Sequence, residues 1–85
     1  TGKSGNMVRL FVNIGAKDNI SPRHIVGAIT GQTSLPRKSV GSIDIYDKFS
    51  FVEVPEEYVK ETIAGLKDHR IKGRRINAEI AKSRK

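Results

Sequence analysis

The chain has 85 residues, of which 36% are hydrophobic and 29% charged, and it contains no cysteine. That length suits one domain with a modest core and excludes a catalytic domain with anything added to it, while the missing cysteines exclude a disulfide framework and a thiolate metal site. The formal net charge of +7 is unevenly placed, because eight of the sixteen Lys and Arg fall within residues 67–85 against only Asp68 and Glu79, and such asymmetry favours a polyanionic partner.

Residues 1–6, Thr1-Gly2-Lys3-Ser4-Gly5-Asn6, lack apolar content and read as a linker or an expression remnant. From Met7 to Ile14 the residues alternate, with Val8, Leu10, Val12 and Ile14 on one side and Arg9, Phe11 and Asn13 on the other, which predicts a strand. Gly15 to Ile20 is a polar loop. Ser21 as N-cap and Pro22 in the first turn predict a helix to about Thr30, ended by Gly31, with Ile25, Val26 and Ile29 inward and with Gly27 and Ala28 allowing close approach to a sheet. After a loop containing Pro36, Val40 to Tyr46 alternates again with Ile43 and Ile45 inward, and Asp47-Lys48 connects it to a strand from Phe49 to Val54, giving an antiparallel hairpin. Pro55-Glu56-Glu57 opens a second helix whose stripe is Tyr58, Val59, Thr62, Ile63 and Leu66. Ile71 and a Lys72-Gly73 turn lead into a last strand with Ile76, Ala78 and Ile80 inward and Arg75, Asn77 and Glu79 outward, and 82–85 form a basic tail.

Strand, helix, strand, strand, helix, strand is the order of an α+β, ferredoxin-like βαββαβ sandwich: a four-stranded antiparallel sheet with two helices on one face. Right-handed crossovers place the first and third strands in the middle. All three phenylalanines, Phe11, Phe49 and Phe51, then fall on the uncovered face, flanked by Arg9, Asn13, Arg75 and Asn77. Exposed rings stack on bases while nearby cations attract phosphates, so this face reads as a single-stranded nucleic-acid platform. Tyr46 at a strand end is a further stacking candidate. Arg9, Lys17, Lys48, Arg70, Lys72, Arg74 and Arg75 are candidate phosphate contacts, and Asn13 and Asn77 are candidates for base edges or for satisfying backbone groups.

The two central strands resemble the paired segments of the RNA recognition motif. Leu10-Phe11-Val12 is similar to the first, with Phe11 at the stacking position; Asp47-Lys48-Phe49-Ser50-Phe51-Val52-Glu53-Val54 is similar to the second, with Phe49 and Phe51 at its ring positions and Ser50 at its small core position. Lys48 replaces that motif's usual glycine and Asp47 its leading cation. Across Met7 to Ala81, the stretches Arg9-Leu10-Phe11-Val12-Asn13-Ile14-Gly15, His24-Ile25-Val26-Gly27-Ala28-Ile29, Ile43-Asp44-Ile45-Tyr46-Asp47 and Phe51-Val52-Glu53-Val54-Pro55 resemble the DbpA-like RNA-binding domain at the C-terminus of bacterial DEAD-box RNA helicases, DeaD/CsdA branch. The resemblance implies an RNA recognition motif of atypical kind that tethers an ATP-dependent helicase core in the same parent chain to structured, chiefly ribosomal, RNA. No ATPase motif lies in these residues, so the domain itself is expected to have no catalytic residue and no cofactor.

His24 and His69 stand without cysteine or a carboxylate cluster, which leaves too few ligands for a metal. No apolar run spans a bilayer, so no membrane partner is expected and a cytoplasmic location is the default. A protein-interaction or dimerisation domain using the same open sheet is the competing reading.

Overall fold

A computed structural model describes residues 7–67 and 69–81. The expected linker at 1–6 and basic tail at 82–85 lie outside the described residues.

The first alternating run forms strand β1, Met7–Val12. Helix α1, Pro22–Gln32, starts at the predicted Ser21-Pro22 pair, and the Ser21 amide donates to Nδ1 of His24 at 2.9 Å, so His24 completes a cap. The helix passes through Gly31, which was expected to end it. Thr33 is the stop: its hydroxyl donates to the Ile29 carbonyl at 2.7 Å and its amide to the same oxygen at 3.0 Å. Strands β2, Ile43–Ile45, and β3, Ser50–Pro55, pair as the predicted hairpin. Regular pairing in β2 is shorter than the alternation suggested, although Gly41 and Ser42 still exchange backbone bonds with Glu53. A 3-10 turn, Glu56–Tyr58, follows Pro55 and leads into α2, Val59–Leu66.

The chain end departs most from expectation. Instead of one strand there is a small separate hairpin, β4, Arg70–Ile71, with β5, Arg74–Arg75, followed by β6, Ala78–Ile80. Lys72 and Gly73 turn this hairpin with φ of 55° and 81°, the left-handed pair that matches strand twist in a two-residue loop. Consequently Arg75 is not in the main sheet and does not flank the rings from it.

The main sheet is antiparallel in the order β2-β3-β1-β6, with the first and third strands central and both helices on one face. Leu10, Val12, Val52 and Val54 meet Ile25, Ile29, Val59 and Leu66 in the core. Ser50 is wholly buried there, and its hydroxyl donates to the Ile14 carbonyl at 2.7 Å. Gly65 lets the helices approach, since a Cβ on it would stand 2.8 Å from the Gln32 carbonyl oxygen; Gly27, expected to face the sheet, is exposed with open space around it. Ile80, expected inward, is 55% exposed because it lies opposite Leu10 on the edge strand, where the sheet has a neighbour on one side only.

Candidate nucleic-acid interface

Residues in register on neighbouring strands face the same way, so the open face is a set of rows crossing β2, β3, β1 and β6. The central row is Asp44, Phe51, Phe11 and Glu79. Towards the β1–α1 loop the next row is Tyr46, Phe49, Asn13 and Asn77; away from it the row is Ser42, Glu53, Arg9 and Ala81.

Four rings from these rows form one island. Phe11 stacks on Phe49 with centroids 5.8 Å apart and meets Phe51 edge-on at 5.8 Å, while Tyr46 lies 5.1 Å from Phe49 and 5.9 Å from Phe51. The phenylalanines were expected to be uncovered. They stand outside the core, but each is half-buried because the rings shelter one another, and only Tyr46 is largely open at 46% exposure. Phe51 has a further cover: the Arg9 guanidinium sits 4.3 Å over its ring, steered there by Asp44, whose Oδ2 is 3.4 Å from Nη2 of Arg9. A base that reaches Phe51 therefore meets the Arg9 guanidinium first, and Tyr46 is the most open of the four rings.

Gly15 organises the loop end. A Cβ there would lie 2.6 Å from the Phe49 amide nitrogen and 2.7 Å from the Asp47 carbonyl carbon, so only glycine lets the β1–α1 loop dock on the β2–β3 turn. The Ala16 amide donates to the Tyr46 carbonyl at 2.7 Å and the Lys17 amide to the Asp47 carbonyl at 2.9 Å. This docking brings exposed Lys17 and Lys48 to the end of the sheet that carries Tyr46 and Phe49. Asp18 then links a third cation: its Oδ2 accepts from the Gly15 amide at 3.2 Å and its Oδ1 is 3.4 Å from Nη1 of Arg74, which ties the β4–β5 hairpin to the loop. Arg70, Lys72 and Arg75 are exposed on that same hairpin.

The asparagines are joined to each other. Asn13 Oδ1 accepts from the Asn77 amide at 2.8 Å, and the Asn13 amide donates to the Asn77 carbonyl at 3.3 Å, so Asn13 anchors the start of β6 with its carbonyl oxygen. Around Phe11 the surface is hollowed on both sides of Glu79: a recess of about 500 Å³ includes Asn13, Asn77 and Lys67, and another of about 290 Å³ includes Phe51, Ile80 and Ala81. Among the described residues no group of three or more His, Asp or Glu side chains is placed to hold a metal. Sequence reasoning placed Glu79 outward without assigning it to the site; the alternation that found the rings puts Asp44 and Glu79 on the same face, and the register brings both into the ring row.

Similarity to known proteins covers the same surface. The family model described as the DbpA RNA binding domain matches residues 9–80. The chain is 28% identical over 69 residues to the ATP-dependent RNA helicase DeaD of Buchnera aphidicola subsp. Acyrthosiphon pisum, covering 81% of the chain and 12% of the relative. It is 26% identical over 76 residues to the DeaD helicase of Escherichia coli K12, covering 89% and 12% respectively. For Haemophilus influenzae DeaD the identity is 35% over 52 residues, 61% of the chain and 8% of the relative. The chain thus spans about 12% of the length of the first of these helicases. With the family match running from inside β1 to the last residue of β6, and so across the whole ring-bearing face, this chain belongs to the DbpA RNA-binding domain family.

Proposed function

We propose that this domain tethers an ATP-dependent DEAD-box helicase core, carried elsewhere in the same parent chain, to structured cytoplasmic RNA, ribosomal RNA foremost. The observation that carries this reading is the ring island of Phe11, Phe49 and Tyr46 beside the cationic loop end of Lys17, Lys48 and Arg74. Rings there stack on unpaired bases while the cations hold the adjoining phosphates, and neither step needs a base-specific contact. Arg9, clamped between Phe51 and Asp44, extends the stacking surface with its planar guanidinium. Asn77 and the amide group of Asn13 offer donors to base edges, and Arg70, Lys72 and Arg75 extend the cationic margin.

The test is a titration of the domain with a ribosomal hairpin bearing a single-stranded loop. Affinity falls steeply with salt, and Phe11→Ala weakens binding by about 1 to 3 kcal/mol while the circular dichroism spectrum stays that of the folded domain. Unchanged affinity in a folded Phe11→Ala protein, or binding indifferent to salt, would sink the reading. A concentration-dependent dimer that shuts RNA out would establish the competing interaction surface instead.

A further inference from the structure

The open face of a domain that binds a polyanion carries an exposed carboxylate in its ring row. Glu79 lies directly across from Phe11, projects on the same side, and stands where the two recesses beside that ring meet. Among the described residues no cation pairs with it, whereas Asp44 at the other end of the row is held by Arg9. A carboxylate repels phosphate and accepts hydrogen bonds only, so its presence beside a stacking ring suits the donor edge of a base.

Resting on the RNA-binding reading above, we propose that Glu79 makes the Phe11 position a guanine-preferring subsite. Guanine stacked on Phe11 presents two adjacent donors, N1–H and the N2 amino group, that match the two carboxylate oxygens. Adenine and cytosine offer one amino group next to a ring acceptor, and uracil offers one imino group between two carbonyls that face the carboxylate unfavourably. Asn77, two residues before Glu79 on the same face and lining the larger recess, supplies a side-chain amide that can donate to the O6 acceptor of the same base.

Fluorescence anisotropy with short uridine-rich RNAs, varied at one central position among guanine, inosine, adenine, cytosine and uracil, tests this. Guanine should bind about five- to tenfold tighter than uracil, and inosine, which lacks the N2 amino group, should lose most of that margin. Glu79→Gln keeps the size of an exposed side chain and should abolish the preference, weakening the guanine oligonucleotide while leaving the all-uridine one within about twofold. Equal affinity for all five RNAs overturns the subsite while RNA binding stands. A uniform gain for every RNA in Glu79→Gln also overturns it, by showing that the carboxylate only repels phosphate. Failure of the wild-type chain to bind any of them while it still binds the ribosomal hairpin overturns the subsite alone, and failure to bind the hairpin as well overturns the RNA-binding reading with it.

Discussion

Ser50 is buried in the core with its hydroxyl bonded to Ile14, which fixes the strand segment between Phe49 and Phe51 and so aims both rings at the open face. Gly15 holds the loop end against the β2–β3 turn, with backbone atoms at 2.6 and 2.7 Å from where a Cβ would stand. Those atoms belong to the turn itself and cannot swing aside as a side-chain tip can. Gly15→Ala should therefore cost about 2 to 3 kcal/mol in urea unfolding and loosen Lys17 and Lys48 from the ring edge, a loss read as a lower denaturation midpoint. The rings and Gly15 differ in how visible they are from residue order alone: alternation exposes the first, whereas nothing next to Gly15 announces the turn it meets 31 to 34 residues later.

At the level of elements, the β4–β5 hairpin combines a cation and a strained backbone at one residue. Lys72 adopts φ of 55°, a conformation that asparagine or glycine takes more readily, yet it is an exposed cation on the hairpin that Arg74 ties to the loop end. Lys72→Asn should separate the two effects. The hairpin should gain roughly half a kcal/mol, seen as slower hydrogen exchange at the Ile76 amide, which donates to the His69 carbonyl at 2.8 Å. RNA affinity should drop, and the logarithmic salt slope should shrink by about one. The Lys72-Gly73 turn is legible in the sequence; the separation of its strands from the main sheet is not, because Arg74 and Arg75 continue an alternation that fits one long strand equally well.

Across the whole molecule the open face is electrically divided. Tyr46, Phe49, Lys17, Lys48 and Arg74 occupy the loop end, whereas Asp44, Glu53 and Glu79 lie in the central row and the row beyond, with Arg9 as the cation among them. A phosphate backbone laid along the full strands would meet those carboxylates, so RNA should keep its phosphates over the loop end and only reach the central row with bases. Amide shift mapping with a hairpin RNA should accordingly perturb residues 13, 15–18, 46–49 and 77–79 and leave 41, 42 and 53 quiet. Strong shifts centred on Gly41 and Glu53 would contradict that path.

The amino-acid order by itself determined the strand and helix order of the main sheet and its two helices, the two-layer architecture, the outward set of Phe11, Phe49 and Phe51, and the family, because period-two alternation, a Ser-Pro helix start and the ring-bearing segments are local signals. Only the tertiary structure decided how much of each ring remains open, that Arg9 covers Phe51, that Arg75 leaves the sheet for a hairpin, and that Glu79 stands beside Phe11. Those outcomes depend on register and on contacts between residues far apart in the chain. Alternation states which side a residue faces but not which neighbour it meets there.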